Sequence, residues 1–222
     1  MNTTTLSESR GNSQNRRDEM KILIAQPQLE KELKQLEHEI KNHRDVDIII
    51  YPEGYINHNI ELARELARNY SKIIVSGHKL PKDRAIIISR EGELLLDRAK
   101  YDKSTLVEVD SLVIGMMLCD EIVIQGMSGL EPTKIDLIVH PIGVGMFSEE
   151  QFDEWTSEAR KYAIEYKTMV IGTSHADGSF GDSDISIPIA YCIDKDGKDI
   201  FISKNDTRTR IVNYETRHVK TI

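Results

Sequence analysis

Three side chains that could together form a nucleophilic site stand at the ends of predicted strands or in a charged turn. Cys119 closes an apolar run over residues 113–118 and is followed by two acids. Glu53 comes directly after a predicted strand and Pro52, and Lys103 lies in a charged turn between two predicted strand pairs. A carboxylate can take the proton of a thiol, and an ammonium group can stabilise a developing oxyanion. The three residue types therefore suit chemistry at a cysteine nucleophile.

Each of these residues also has an ordinary structural interpretation. A free Cys is usually a small buried hydrophobe, a Glu after a strand is usually a loop acid in solvent, and a Lys among charges usually lies on the surface. A helical turn directly after Cys119 would favour the thiolate, because its backbone N–H groups point toward the sulfur. The residue types and spacing alone leave both interpretations open.

The elements that would position these side chains alternate between short apolar runs and amphipathic segments, which indicates an α/β fold. Hairpins among the strands favour a mixed sheet over a purely parallel one. The pattern predicts helices over residues 29–40, 57–70 and 149–166. It predicts strands over residues 21–25, 45–51, 72–76, 85–89, 93–96, 106–109, 112–118, 136–139, 168–173, 187–193, 199–203 and 210–214.

Composition narrows the class of protein. The chain has 222 residues, 39% of them hydrophobic, which suits one domain with a sizeable core. A formal net charge of −8 argues against a nucleic-acid or anionic-membrane surface, and no apolar run is long enough to span a membrane. No secretory h-region and no CxxC pair are present. We therefore expect a cytoplasmic protein with free thiols and no partner of the nucleic-acid or membrane class.

Residues 1–19 are predicted to form a flexible, removable tail, because nearly all of them are small, polar or charged. Residues 20–222 are predicted to form a single folded domain.

An ordered set of motifs resembles the nitrilase superfamily of carbon–nitrogen hydrolases. KILIAQPQ is similar to the first strand of that family, and DIIIYPEGY to the segment that carries its catalytic glutamate, here Glu53. YDKSTL resembles the lysine motif, here Lys103, and VIGMMLCDEI the nucleophile motif, here Cys119. DLIVHP and then Trp155 with ARKYAIEY resemble the strand and helix that follow. The likeness runs over residues 21–214.

The resemblance implies a four-layer αββα sandwich and hydrolysis of a non-peptide carbon–nitrogen bond. It implies that Glu53 is the general base, Lys103 an oxyanion donor and Cys119 the nucleophile. A small amide is the expected substrate, with nitriles and carbamoyl compounds as alternatives, and neither a metal nor an organic cofactor is expected. It further implies a homodimer through the predicted helix that carries Trp155, Tyr162 and Tyr166.

The chain also departs from the family pattern. The segment from Lys103 to Cys119 is short and lacks a clear counterpart of the family's second, positioning glutamate; Glu108 is a weak candidate that fits an ordinary strand acid better. A nitrilase-like binding or regulatory protein without turnover is therefore one alternative, and an isochorismatase-like Cys hydrolase is another. The remaining candidates are predicted to be structural: Cys192 in a strand, a GxG without a dinucleotide motif, and His58, His78, His140 and His175 in loops or at strand ends.

Overall fold

The computed structural model describes residues 20–127, 130, 134–181 and 183–222. The predicted tail over residues 1–19 lies outside the described residues, so its boundary and its removability stay predictions. No helix within the described ranges is long and apolar enough to cross a membrane.

Within the described residues each helix lies between two strands, and five strands follow one another between the second and third helices. The helices are α1 (Lys34–Asn42), α2 (Ile60–Tyr70), α3 (Glu121–Ile124) and α4 (Glu149–Tyr166). The strands are β1 (Lys21–Ile24), β2 (Ile48–Ile50), β3 (Ile73–His78), β4 (Arg84–Ile88), β5 (Leu94–Ala99), β6 (Leu106–Val109), β7 (Leu112–Met116), β8 (Leu137–Pro141), β9 (Met169–Thr173), β10 (Ile189–Ile193), β11 (Asp199–Lys204), β12 (Arg210–Asn213) and β13 (Val219–Thr221).

These strands form two mixed sheets. One has seven strands in the order β13-β12-β1-β2-β3-β4-β5, and the other has six in the order β11-β10-β9-β8-β7-β6. Strands β1, β2 and β3 are parallel, as are β7, β8 and β9, and antiparallel strands flank each parallel group. The hairpins that the sequence indicates therefore extend two parallel cores.

Alternation along the strands explains why the sheets stack. Ile48 and Ile50 lie in the apolar cluster that joins the two sheets, whereas Ile49 lies in the cluster that the first sheet shares with α1 and α2. A third cluster joins the second sheet to α4 through Phe152 and Trp155. Both faces of each sheet are thus covered, as continuous apolar runs require. The predicted four-layer αββα sandwich is confirmed.

Two of the differences from the predicted boundaries have a local cause. Helix α1 begins at Lys34 rather than near Leu29, because the preceding segment is extended and Leu29 donates its N–H to Asp177 at 2.7 Å. The Glu30 carboxylate accepts the N–H of Gln35 at 3.0 Å and so satisfies a donor of the first turn. Strand β13 was not predicted, because its three residues carry too little apolar alternation to mark a strand.

One of the three aromatic residues of the expected dimer contact on α4 is buried within its own chain. Trp155 is only 3% exposed and lies against His140, so it belongs to the core of its own chain. Tyr162 and Tyr166 remain partly exposed and stack on each other. A homodimer through this helix stays a prediction, to which Tyr162, Tyr166 and the exposed Ile164 can contribute.

Candidate active site

Cys119 lies in a tight turn between β7 and α3. Its φ is +47°, a left-handed conformation that a residue with a Cβ adopts only when its surroundings enforce it. Its backbone N–H donates to the Pro141 carbonyl at 2.9 Å, which ties the turn to the end of β8. The turn places Cys119 beyond the carboxyl end of β7, the strand next to the edge strand β6.

His140 holds the other side of this turn. The Nε2 atom of His140 lies 2.6 Å from the Cys119 carbonyl oxygen, and its Nδ1 lies 2.5 Å from the hydroxyl of Tyr191. Burial lowers the pKa of His140 to about 4, so the ring is neutral near pH 7. A neutral ring with its proton on Nε2 donates to Cys119 and accepts from Tyr191. The histidine therefore fixes the strained backbone and leaves the thiol free.

Glu53 approaches the thiol from the opposite sheet. It follows β2 and Pro52 and is 6% exposed, and a side-chain hydrogen bond with Cys119 acts to lower the pKa of its carboxyl group. Its backbone carbonyl is 3.3 Å from the Nε2 atom of His175. A Cβ at Gly143 would lie 3.0 Å from Oε2 of Glu53, so the missing side chain leaves room for the carboxylate. A backbone hydrogen bond from Gly143 acts to lower the pKa of the Cys119 thiol.

The lysine in this cluster is Lys100 and not Lys103. The Lys100 Nζ atom lies 3.1 Å from Glu53 Oε1 and 2.9 Å from Asp120 Oδ1, and its side chain is only 15% exposed. Lys103 lies in the loop after β5 with its side chain in solvent. The next residue, Ser104, turns inward and donates to the Gly126 carbonyl at 3.1 Å, so Lys103 faces out. The expectation that Lys103 joins Glu53 and Cys119 is wrong.

Strand alternation contains the signal that identifies Lys100. Leu96 and Arg98 are the buried residues in the second half of β5, and Asp97 between them is exposed. Side chains two residues apart share a face of a strand, so Lys100 continues the inward row. Lys103 is an odd number of residues further on and beyond the end of the strand.

A buried ion pair joins the Lys100 strand to the Cys119 turn. Arg98 donates to both carboxylate oxygens of Glu121 at 2.8 and 2.7 Å, and Glu121 is fully buried. The same carboxylate accepts the backbone N–H of Leu118 at 2.7 Å and of Tyr101 at 2.6 Å. One carboxylate thus holds the residue before Cys119 and the residue after Lys100.

Replacing Arg98 should therefore destabilise the whole chain. Arg98→Met leaves the Glu121 carboxylate buried without its cation, and breaking such a pair costs about 3 kcal/mol or more. We expect a lower free energy of unfolding in urea. Arg84→Met is the matched control, because that guanidinium contacts a partly exposed acid, Asp97. Equal free energies of unfolding for the two variants would contradict a stabilising role of the buried pair.

The pKa shifts in the cluster suit a general base beside a thiol that is protonated at neutral pH. Burial raises the pKa of Glu53 to about 7, although Lys100 opposes the shift. Burial also raises the pKa of Cys119 to about 12, and the negative charge of Glu53 adds to this. Burial alone would lower the pKa of Lys100, but the charges of Glu53 and Cys119 and the contact with Asp120 raise it overall. Near neutral pH the site holds a thiol, an ammonium group and a carboxylate that can accept a proton.

The other candidates lie away from this chemistry. Glu108 is exposed on β6, and Cys192 is buried in β10 within the core between the sheets. His78 lies at the end of β3, where its Nε2 is 2.9 Å from Asp97.

A cavity of about 520 Å³ opens beside the turn that carries Cys119. It is lined by Asp120, Val123, Phe147, Ser148, Glu150, Gln151, Glu154 and Trp155.

Known proteins resemble the chain in fold more than in sequence. No model of a protein family matches it, and neither does any curated protein. A carbon–nitrogen hydrolase from Helicobacter pylori superposes with a TM-score of 0.73 at 12% identity, covering 90% of this chain and 91% of that chain. An amidase from Nesterenkonia sp. superposes with a TM-score of 0.73 at 12% identity, covering 89% and 90%.

Variants of the Nesterenkonia amidase have been solved with small amides. One, in complex with butyramide, matches with a TM-score of 0.73 at 11% identity over 91% of this chain and 95% of that chain. Another carries the acetamide moiety of fluoroacetamide on its active-site cysteine. The amidase is assigned to the nitrilase superfamily. The two-sheet sandwich described above is therefore the fold of the nitrilase superfamily, in agreement with the resemblance that the motifs indicated.

Proposed function

We propose that the chain hydrolyses the carbon–nitrogen bond of a small amide through a thioester on Cys119. The observation that carries this proposal is the contact of three groups in one partly buried cluster. Glu53 reaches the thiol of Cys119, and Lys100 lies 3.1 Å from Glu53. A base, a nucleophile and a cation that are brought together from both sheets form the constellation that acyl transfer at a thiol needs.

The first half of the reaction forms the thioester. Glu53 takes the proton of Cys119 as the sulfur attacks the carbonyl carbon, which gives a tetrahedral oxyanion. Lys100 and the backbone N–H after Cys119 stabilise that oxyanion. Collapse of the intermediate breaks the carbon–nitrogen bond, and Glu53 returns its proton to the departing amine. Leaving groups are thus expelled as neutral ammonia or amine.

The second half regenerates the thiol. Glu53 takes a proton from water, and the hydroxide attacks the thioester carbon. A second oxyanion forms at the same place, and its collapse breaks the carbon–sulfur bond. Glu53 gives its proton to the departing thiolate, and the free acid leaves. One carboxylate serves both halves, so its pKa sets the pH at which each can proceed.

Small amides are the favoured substrate class over nitriles. The solved structures that share the fold include an amidase with butyramide and one with an acetamide moiety on its cysteine. The isochorismatase-like alternative loses support, because carbon–nitrogen hydrolases match over about nine tenths of both chains. The binding-protein alternative predicts an unreactive thiol, whereas the placement of Glu53 and Lys100 favours a reactive one.

A panel of small amides, carbamoyl compounds and nitriles tests the proposal. Ammonia release would be measured for each compound, and intact mass after rapid acid quench would reveal the acyl adduct. We expect release from at least one short aliphatic amide, with an added mass equal to its acyl group. Absence of both ammonia and adduct across the panel would favour the binding-protein alternative.

The pH dependence of turnover should follow Glu53. Burial raises its pKa to about 7, and only the carboxylate form accepts a proton. We therefore expect kcat/KM to fall as the pH drops below about 7, with a midpoint well above the ordinary value of 4.5. Rates between pH 5 and 9 would locate this midpoint, and Glu108→Gln should leave it in place. A midpoint near the ordinary glutamate value would argue against Glu53 as the base.

A further inference from the structure

The ammonium group of Lys100 lies between two carboxylates. Glu53 Oε1 is 3.1 Å from Nζ on one side, and Asp120 Oδ1 is 2.9 Å from it on the other. The second oxygen of Asp120 accepts the hydroxyl of Tyr101 at 2.8 Å. Asp120 is therefore held by Lys100 and by the residue that follows it in the chain.

We propose that Asp120 is a positioning residue that fixes Lys100 for catalysis. It would take over the role of the second glutamate, for which the short segment before Cys119 has no clear counterpart. The proposal rests on the hydrolase function inferred above. Asp120 directly follows the nucleophile in the chain, and its role in the reaction is to hold the side chain of Lys100.

The connection between Asp120 and Cys119 makes this arrangement effective. The two residues are adjacent in the same turn, so the contact of Asp120 with Lys100 ties the ammonium group to the turn that carries the sulfur. Lys100 itself comes from the end of β5 in the opposite sheet, where its backbone N–H donates to the Asp83 carbonyl at 2.9 Å. Asp120 thus forms a contact between the sheets at the reacting atoms.

Because of Asp120, the ammonium group of Lys100 pairs with two carboxylates instead of one. Without Asp120, the ammonium group would pair with Glu53 alone, and a carboxylate in a close ion pair is a weaker base. With Asp120 present, Oε2 of Glu53 stays on the side of Gly143 and the thiol. Besides Lys100, the titratable groups that act on Glu53 are Asp83 and Cys119. Lys100 and Tyr101 are the groups that act on Asp120.

Substitution at position 120 separates this role from simple packing. Asp120→Asn keeps the shape but removes the charge, and we expect kcat to fall about 10- to 100-fold with little change in KM. The acid midpoint of the rate should move to lower pH, because Lys100 then pairs with Glu53 alone. Asp120→Glu retains a carboxylate, so part of the lost kcat and part of the shift in the acid midpoint should be recovered. Tyr101→Phe should have a smaller effect in the same direction.

Glu108→Gln is the matched control, because it removes one exposed carboxylate from a neighbouring strand. It should change neither kcat nor the acid midpoint. Melting temperatures of all four variants would show that each is folded. Unchanged kcat and an unchanged midpoint in Asp120→Asn would overturn the inference.

Alkylation of Cys119 by iodoacetamide provides a readout that needs no amide substrate. Intact mass would follow the rate between pH 5 and 9, and the acid midpoint should shift in Asp120→Asn as it does for turnover. A chain that hydrolyses amides but whose Asp120→Asn variant behaves like the parent in both assays contradicts the role of Asp120 alone. A parent chain that alkylates but hydrolyses no amide contradicts the proposed function, and a catalytic role for Asp120 with it.

Discussion

Cys119→Ala is expected to abolish both turnover and the covalent acyl adduct. The substitution removes the sulfur that forms the bond to the acyl carbon, and no other nucleophile can replace it at the same place in the turn. Loss of a nucleophile that works with a base has cost about 10⁶ in rate where it has been measured. Ammonia release and intact mass after acid quench would be compared with those of the parent chain.

Cys192→Ala is the matched control for this experiment. Cys192 is fully buried between the sheets, and burial raises the pKa of its thiol well above the ordinary value. Its removal should lower stability slightly, because a small cavity replaces the sulfur. Turnover and adduct should persist. An acyl adduct that survives in Cys119→Ala and disappears in Cys192→Ala would refute the assignment of the nucleophile.

Lys100→Ala should lower kcat by about 10³ or more, whereas Lys103→Ala should leave it unchanged. One oxyanion donor is worth about 10²–10³ in rate, and a buried ammonium group also favours the thiolate that attacks. The Lys100 variant loses both effects, and it leaves Glu53 and Asp120 facing each other as unpaired carboxylates. Lys103 is exposed, so its variant removes a surface charge only.

Two results with the lysine variants would contradict the role assigned to Lys100. Equal rates for Lys100→Ala and the parent chain would show that neither oxyanion nor thiolate depends on that ammonium group. A large loss in Lys103→Ala would instead support the sequence-based expectation. Single-turnover acylation would show whether the loss falls on the first half of the reaction, where both effects of Lys100 act.

Much of the fold follows from local patterns in the chain. Continuous apolar residues in strands such as β2 predict their burial on both faces, and the charged outer stripe of α4 predicts its start and end correctly. The pairing of the strands into two sheets depends on contacts between distant residues. The resemblance to a family supplied that architecture, and the local pattern did not.

The candidate site was only partly accessible from the sequence. Glu53 and Cys119 each follow an apolar strand, so their positions are marked by local sequence. Lys100 and Lys103 lie in the same charged run, and a motif favoured Lys103, while the strand alternation that selects Lys100 depends on where β5 ends. Asp120 and His140 act through the tertiary fold alone, because their partners lie many residues away.

The two sheets contribute different groups to the candidate site, so the proposed reaction depends on the distance between the layers. Glu53 and Lys100 come from one sheet and Cys119 from the other, with aliphatic side chains such as Ile50 and Val139 filling the space between them. A proton can pass from sulfur to carboxylate only within hydrogen-bond reach. A slight loosening of the central layer would therefore stop the proposed reaction while the helices and strands are still intact. Residues that never touch a substrate would then control turnover through the thickness of the sandwich.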